Sequence, residues 1–236
     1  LICCIGAAMF FIVGKMLKMK PQELGLFSGG GVYSNVIFMG QPLIMAMYGA
    51  EGLIFCVAVM FTCNVFLFTV CSILFGMGGE HRKPALQMLK EAFLNLICLS
   101  AVVGVFCFVN SISLPGPIYD VLQYSANTTV SLSMIYIGSL LAAANLREIF
   151  RDKVVYIFSF FTLIVLPILA KAICGLFMEG IALSVLVVLM GTPAAAALPS
   201  FAELYGNDEK RASQYTFVST IISVVTLPLV AEFLCQ

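Results

Sequence analysis

The hydrophobic residues fall into long runs that are separated by short polar segments. Runs of 18 or more apolar residues recur along the chain, and a helix needs about 20 such residues to cross the hydrocarbon core of a bilayer. The pattern predicts an all-α polytopic membrane protein with eight transmembrane helices. Their predicted ranges are 1–17, 23–48, 53–75, 84–113, 118–145, 154–177, 181–205 and 212–233.

Two of the predicted spans contain residues that interrupt a helix. The interrupting residues are Gly29, Gly30, Gly31, Asn35, Gly40 and Pro42 in the first, and Gly191, Thr192, Pro193 and Pro199 in the second. A proline inside a helix costs roughly 3 kcal/mol and a glycine about 1 kcal/mol. In lipid, every carbonyl that is freed needs a new partner. Such spans indicate half-helices whose ends bind a ligand near the membrane midplane; ordinary proline kinks are the alternative interpretation.

Composition agrees with a membrane protein and argues against several other classes. Hydrophobic residues make up 61% of the chain and charged residues 10%, whereas soluble domains carry about 25% charge. The 12 basic and 12 acidic residues balance, so a nucleic acid is not expected as a partner. Nine cysteines without a C-x-x-C pair and a single histidine predict no metal site and no cofactor. No hydrolase or metalloprotease motif occurs, so an enzyme is not predicted.

The basic residues predict the orientation of the chain. When the loops are assigned alternately to the two sides, eleven of the 12 Lys and Arg residues fall on one side, and Lys171 alone lies toward the other. The positive-inside rule makes the side with eleven basic residues cytoplasmic. We therefore predict a multi-pass protein of the cell membrane.

The two interrupted spans share a signature that indicates an internal repeat. Gly-x-Pro is followed by Tyr-Gly at 40–49 and again at 191–206. By the loop count the two spans cross the membrane in opposite senses, which is typical of transporters built from inverted repeats. Pro42 and Pro193 lie 151 positions apart. If the two halves are repeats, each residue of the first half would correspond to the residue 151 positions later in the second half.

The repeat predicts the domain organisation. Three spans precede the interrupted span in the second half, but only one precedes it in the first half, so we expect a protein of five plus five spans that lacks its first two here. Residues 1–75 would be the last three spans of the first repeat. Residues 76–83 would form a cytoplasmic linker, and residues 84–236 the second five-span repeat.

Three segments carry motifs of one known family. Segment 35–49 reads N-V-I-F-M-G-Q-P-L and ends in A-M-Y-G, Pro193 is followed by F-A-E-L-Y-G at 201–206, and segment 219–229 reads S-T-I-I-S-V-V-T-L-P-L. These segments resemble the fourth-, ninth- and last-span motifs of the auxin efflux carrier family of membrane transporters. The short linker and its glycine run at 76–79 resemble bacterial permease-type members. The resemblance implies ten spans, a crossover of two broken helices, and transport of small organic anions such as malonate, malate or auxin.

The candidate substrate-binding residues lie at the two interruptions and are Asn35, Gly40, Gln41, Pro42, Gly191, Thr192 and Pro193. The N-terminus of a half-helix carries about +0.5 charge and suits a carboxylate. Asn35 could donate to such an anion, or it could instead bond the carbonyls that Pro42 leaves free. Gln41 could face the pore or have a purely structural role, and both interpretations stay open. We expect Pro42 and Pro193 to face one another near mid-membrane, because a shared polar cavity avoids unsatisfied groups in lipid.

The predicted function is a secondary transporter for small organic anions, either dicarboxylates or auxin-like carboxylates. Its expected partners are the anion and the lipid bilayer, and a homodimer is left open. No Asp or Glu falls in the middle of a predicted span, so coupling through a buried carboxylate has no support. Hydroxyl and amide residues at 127–133 predict helix packing more than ligand binding. The alternative function is a membrane scaffold or sensor that transports nothing.

Overall fold

The computed structural model describes residues 1–77, 96–143 and 152–234, and these residues are helical apart from turns and one isolated β-bridge. The α-helices are α1 (Ile2–Met16), α2 (Pro21–Val32), α3 (Gln41–Phe66), α4 (Ser72–Phe75), α5 (Leu96–Val109), α6 (Gly116–Ala143), α7 (Lys153–Phe160), α8 (Leu166–Cys174), α9 (Gly180–Met190), α10 (Leu198–Leu204) and α11 (Glu209–Leu234). Three π-helical turns connect some of them: π1 (Val36–Gly40), π2 (Leu67–Cys71) and π3 (Phe161–Val165).

The all-helical, apolar architecture agrees with the sequence pattern. In the described part of the chain, three helical stretches are long and apolar enough to cross a membrane: Val36–Phe75, which is kinked at Gly49, Lys153–Cys174 and Glu209–Leu234. Two shorter apolar helices are α1 and α9. The division into eight spans and the domain boundaries remain predictions, and the predicted linker lies largely outside the described residues.

Two glycines end helical segments with a left-handed backbone. Gly49 has φ 59° and ψ −149°, which divides α3 into an eight-residue segment and a longer one. Gly206 has φ 67° and follows the end of α10. Glycine populates this region without the steric cost that a Cβ would add. The predicted turn after Tyr48 is therefore present, and a second glycine turn occurs after Tyr205.

The sequence predicts that the glycine run at 29–31 interrupts the helix. The structure shows otherwise, because α2 continues through the run to Val32. These glycines instead allow close packing. A Cβ on Gly31 would lie 2.4 Å from the ring of Phe10, and one on Gly25, which precedes the run in the same helix, would lie 2.0 Å from the carbonyl oxygen of Leu74. Because helix α2 is apolar and its glycines have no side chains, its neighbours can approach its backbone. The actual break comes only after Val32.

A cluster of buried aromatic rings joins α1 and α2 to the second half of the chain. Phe158 of α7 stacks on Tyr215 of α11 with ring centroids 4.2 Å apart. Phe27 of α2 contacts both rings edge-on, at 5.6 Å and 6.0 Å, and Phe10 of α1 packs on Phe27 at 5.4 Å. Such pairs stabilise by about 0.5–1.5 kcal/mol beyond their buried area. The cluster fixes α2, which leads into the first break, against α7 and α11.

An ion-pair cluster joins the N-terminal ends of α2, α7 and α11. Arg211 donates from Nη2 to Glu23 Oε1 over 2.9 Å and from Nη1 to Asp152 Oδ2. Asp152 also caps α7, since its Oδ1 accepts from the amide of Val154 over 2.9 Å. A 470 Å³ polar cavity lies beside these groups. The basic-residue count predicts that this end of the protein is cytoplasmic.

Helices α5 and α6 expose large apolar side chains. Val103, Phe106, Val109, Tyr124 and Ile135 are each at least 60% exposed. Water-soluble monomers rarely present a continuous apolar surface of this kind. These exposed side chains agree with helices that contact lipid or further protein within a membrane.

Candidate functional site

The two interrupted segments meet and are joined through their main chains. Ser34 and Ala194 form an isolated antiparallel β-bridge. The amide of Asn35 donates to the carbonyl of Pro193, and the amide of Ala195 donates to the carbonyl of Tyr33, each over 2.8 Å. Backbone groups that have no partner inside a helix therefore satisfy one another, as a low-dielectric environment requires.

The residue whose main chain bonds to Pro193 is Asn35, seven positions before Pro42. The bridge joins positions 34 and 194, which are 160 apart, whereas the prolines are 151 apart in sequence. Pro193 is buried, and Pro42 is exposed in the first turn of α3. The wider turn of π1 ends at Gly40, two residues before Pro42, and such turns accommodate irregularities without ending a helix. Pro42 therefore lies within continuous helical structure, and the chain breaks seven residues before it.

Asn35 is almost fully buried and only partly satisfied. Its side chain is 3% exposed, and its Oδ1 accepts from the amide of Phe38 over 3.3 Å, which caps π1. Its Nδ2 has no hydrogen-bond partner among the described residues. The hydroxyl of Ser34 is likewise buried without a partner there. A buried donor without a hydrogen-bond partner costs about 1–3 kcal/mol. A ligand or water molecule that accepts from these two side chains would remove that cost.

A small cavity of about 50 Å³ lies at this position. It is lined by Tyr33, Ser34, Asn35, Val36, Ile37, Phe38, Met60, Cys63, Asn64, Ala195, Ala196 and Ala197. None of these described lining residues is charged. A water molecule needs roughly 10–15 Å³ by this measure, so the cavity has room for a few waters and is too small for a dicarboxylate in this conformation.

The cavity adjoins the N-terminal turn of a half-helix. Residues Asn35 to Phe38, which line it, begin the helical segment that runs from Val36 to Tyr48. The aligned peptide dipoles of a helix give its N-terminal turn a positive partial charge. The cavity therefore combines a positive helix end with the neutral donors Asn35 Nδ2 and Ser34 Oγ.

The second break is satisfied by hydroxyl groups of α11. The amide of Ala194 donates to Ser219 Oγ over 3.1 Å, and Thr216 Oγ1 donates to the carbonyl of Ala195 over 3.2 Å. Thr192 bonds back to its own helix, from Oγ1 to the carbonyl of Leu189 over 2.7 Å. Ser219 and Thr216 are fully or almost fully buried. They support the shape of the break and do not line the cavity.

The remaining predicted residues separate into buried and exposed sets. Gly40 packs against the second break, because a Cβ there would lie 2.4 Å from Leu189 Cδ2 and 3.4 Å from Thr192 Cγ2. Gly191 is buried against Val230 and Pro167. Gln41 is exposed, as Pro42 is, and does not line the cavity. The structure thus brings together Asn35, Gly40, Thr192 and Pro193 and leaves Gln41 and Pro42 outside.

Two lining residues were not predicted from the sequence. Asn64 is 7% exposed and donates from Nδ2 to the carbonyl of Met60 over 2.9 Å, and Cys63 precedes it on α3. Asn64 lies in the middle of the apolar run 53–75, and an amide in such a run is a usable signal for a functional position. No cluster of three metal-ligating side chains occurs within residues 1–77, 96–143 and 152–234.

Comparison with known proteins gives one family and two relatives. A family model described as "Membrane transport protein" matches residues 1–231. A protein of Methanocaldococcus jannaschii named "Uncharacterized transporter" is 27% identical over 235 residues, which cover 97% of this chain and 75% of that protein. A protein of Rhizobium meliloti named "Putative malonate transporter" is 26% identical over 232 residues, which cover 93% of this chain and 70% of that protein.

Proposed function

The chain belongs to the membrane transport protein family, in agreement with its resemblance to the auxin efflux carriers, and on that premise we propose that it is a secondary transporter for small organic anions. The substrates are dicarboxylates or auxin-like carboxylates, and they bind where the two interrupted segments cross. One observation carries this proposal: the buried Nδ2 of Asn35 has no partner among the described residues and lies at the cavity beside the crossing.

The chemistry of the cavity favours a carboxylate over a cation. A carboxylate oxygen accepts hydrogen bonds, and both Asn35 Nδ2 and Ser34 Oγ can donate. The first turn after Asn35 adds the positive end of a helix dipole. None of the described lining residues carries a full charge, so the anion would be held by dipoles and could be released without breaking a strong ion pair.

The size of the cavity requires a second conformation for substrate binding. At about 50 Å³, the space admits water, and a three-carbon dicarboxylate needs a wider opening. We propose that this conformation is one member of an equilibrium and that the substrate shifts the population toward a more open one. The relative whose printed name includes malonate supports an anion of this size.

The crossing also supports the proposed repeat architecture. The amides of Asn35 and Ala195 and the carbonyls of Tyr33 and Pro193 join one interrupted segment from each proposed half. We propose five plus five spans in the complete transporter, eight of them in these residues, with the basic loops on the cytoplasmic side of the cell membrane. In this register the second half lies 160 positions after the first.

A flux measurement tests the proposed function. Vesicles from cells that produce the full-length protein are supplied with labelled malonate, malate or indole-3-acetate, and vesicles without the protein provide the background. We expect flux of at least one of these anions above background and competition by its unlabelled form. Background flux of all three anions, with correct insertion confirmed by surface labelling, would contradict the proposal and favour a scaffold or sensor.

A further inference from the structure

A buried amide of α3 adds a hydrogen-bond acceptor to the cavity beside Asn35. Asn64 lines that cavity and is 7% exposed. Its Nδ2 donates to the carbonyl of Met60 over 2.9 Å. This bond distinguishes the two ends of the amide, because a carbonyl accepts only from the nitrogen. The Oδ1 of Asn64 makes no hydrogen bond to a described residue, so it is the atom that Asn64 can offer to a ligand.

The polar groups around the cavity differ in what they can bind. Asn35 Nδ2 and Ser34 Oγ are buried donors without a partner in the described part of the chain, whereas Asn64 Oδ1 can only accept. The described lining residues carry no full charge, and only Tyr33 and Cys63 among them titrate. An ordinary phenol or thiol is uncharged at neutral pH and below. The cavity therefore combines donors from the first break with an acceptor from α3.

Such an uncharged cavity discriminates between the two anionic forms of a dicarboxylate. A carboxylate that leaves water without a charged partner pays a large desolvation penalty, and it tends to bind a proton instead. Asn35, Ser34 and the helix end can offset this penalty for one carboxylate. No similar set of donors lines the described part of the cavity for a second carboxylate. A protonated carboxyl group is neutral and has one O–H donor, which matches Asn64 Oδ1.

We propose that Asn64 is a specificity-determining residue and that a dicarboxylate binds and crosses the membrane as its hydrogen monoanion. The carboxylate accepts from Asn35 and Ser34, and the O–H of the protonated carboxyl group donates to Asn64 Oδ1. This assignment rests on the proposed function and names its substrate class, which is a monoanion that carries one carboxylate and one separate hydrogen-bond donor. The indole N–H gives an auxin-like carboxylate the same pair of groups.

The position of Asn64 suits a cavity that changes its width. The bond to Met60 lies within one turn of α3, so it moves with the helix and keeps the orientation of the amide. At about 50 Å³ the cavity has room for a few waters, which can accept from Asn35 and donate to Asn64. In a wider cavity one substrate molecule would replace these waters and bond to both residues.

The arrangement places the transported proton on the substrate. Each dicarboxylate carries one proton and one net negative charge, and it releases the proton where the pH exceeds the second pKa of the acid. No residue of the protein has to bind that proton, which agrees with the lack of Asp and Glu in the middle of the predicted spans. A monocarboxylate carries the same net charge without a proton.

The first test compares three anions on the full-length protein in proteoliposomes with equal pH on both sides. Malonate is the labelled substrate. Malonamate has a carboxylate and an N–H donor, and monomethyl malonate has a carboxylate and no donor. We expect the half-saturating total concentration of malonate to rise about tenfold per pH unit above its second pKa, because the hydrogen monoanion becomes tenfold scarcer. Malonamate should compete equally at every pH, and monomethyl malonate should compete weakly.

A pH indicator inside the proteoliposomes follows the proton while the membrane potential is clamped. We expect the lumen to acidify when malonate enters and to keep its pH when labelled malonamate enters. A half-saturating malonate concentration that is independent of pH, equal competition by malonamate and monomethyl malonate, or malonate entry without acidification would overturn the inference.

Asn64→Ala tests the residue itself. We expect malonate and malonamate to bind about fivefold to hundredfold more weakly, because their donor loses its acceptor, and monomethyl malonate to bind as before. Thr62→Ala is the matched control, since Thr62 is exposed on α3 and bonds back to the carbonyl of Ala58 over 2.9 Å. Equal losses for all three anions in Asn64→Ala would overturn the specificity role. If the variant does not fold, the comparison of the three anions on the parent decides.

The same measurements separate this inference from the proposed function. Saturable malonate transport that is independent of pH would uphold the transporter and overturn the hydrogen monoanion. Transport of indole-3-acetate without competition by malonate or malonamate would have the same meaning. If correctly inserted protein transports neither malonate, malate nor indole-3-acetate at any pH, the proposed function fails and the inference fails with it.

Discussion

The amide of Asn35 donates to the carbonyl of Pro193 over 2.8 Å, so residues from two distant parts of the chain meet through their main chains. Because the backbone of Asn35 makes this contact, its side chain is not needed to hold the two segments together. The carbonyl oxygen of that side chain caps π1, and its amide nitrogen remains without a partner in the described residues. This division of roles is the basis of the first prediction.

Asn35→Ala is expected to weaken substrate binding more than it weakens folding. Loss of the cap costs about 0.5–2 kcal/mol, and removal of an unpaired buried donor offsets part of that cost. Loss of a hydrogen bond to a charged carboxylate costs about 1.5–3 kcal/mol, which is roughly a tenfold to hundredfold weaker affinity. The stabilisation of the purified protein by malonate or indole-3-acetate measures this affinity. Gln41→Ala, at an exposed position outside the cavity, is the control, and equal losses in both variants would contradict the prediction.

Ser219→Ala is expected to destabilise the second break. Ser219 is fully buried, and its Oγ accepts from the amide of Ala194. The substitution leaves that amide buried and unpaired, which costs about 1–3 kcal/mol. The midpoint of thermal or denaturant unfolding measures the change. Ser213→Ala is the matched control, since Ser213 lies on the same helix and only bonds back to Glu209 over 2.9 Å; a control that loses as much stability would show that the break is not the cause.

Gly25→Ala is expected to destabilise the packing of α2. The added Cβ would lie 2.0 Å from the carbonyl oxygen of Leu74, and a backbone atom cannot move away as a side chain can. Overpacking of this kind costs about 1–3 kcal/mol. Gly104→Ala is the control, because a Cβ there meets no atom of the described residues within 4 Å and alanine favours a helix by up to about 1 kcal/mol. We expect Gly25→Ala to lower the melting temperature and Gly104→Ala to raise it. An unchanged melting temperature for Gly25→Ala would contradict the close contact.

Arg211→Lys is expected to lower stability although it retains the charge. The guanidinium contacts both Glu23 and Asp152, whereas a lysine ammonium lacks the planar fork that suits two carboxylates. Loss of one charged hydrogen bond at this partly buried position costs about 1–3 kcal/mol. Lys153→Ala serves as the control, because Lys153 is exposed nearby at the start of α7. Equal melting temperatures for the parent and Arg211→Lys would show that the cluster contributes little.

The predicted topology can be checked by labelling single cysteines in a background from which the natural cysteines have been replaced. A cysteine at Gly79, in the predicted linker, is expected to react only from the cytoplasmic side. A cysteine at Gly116, at the start of α6, is expected to react only from the outside. The expectation follows from the positive-inside rule. Reaction of both positions from one face would contradict the eight-span topology.

Much of the helical architecture could be predicted because apolar runs of bilayer length have few alternatives in lipid. The position of the breaks was harder to predict. Proline is the strongest helix breaker in water, which drew attention to Pro42, but a π turn accommodates it and the chain breaks at Tyr33 to Asn35. For the second break the prediction was closer, since Gly191, Thr192 and Pro193 do follow the end of α9.

Part of the candidate site could also be predicted, because polar side chains are costly in lipid. Asn35 could be identified because an amide in an apolar span is expensive. Asn64 carries the same signal, but the apolar run around it contains no proline or glycine, so the sequence pattern does not indicate an interruption there. The roles of Thr216 and Ser219 depend on which helix packs beside the second break, and one sequence does not reveal that contact. The glycines of α2 were misinterpreted since propensity describes an isolated helix and not the approach of Leu74 or Phe10.

The β-bridge between Ser34 and Ala194 makes the number of residues in each break more important than their identity. Its bonds use only amides and carbonyls, so they do not depend on the functional groups of these two buried side chains. Deletion or insertion of one residue would instead exchange donors for acceptors along the segment and rotate the following half-helix by about 100°. An engineered change of length at either break should therefore abolish the bridge, whereas an exchange of one small side chain for another at these positions should not.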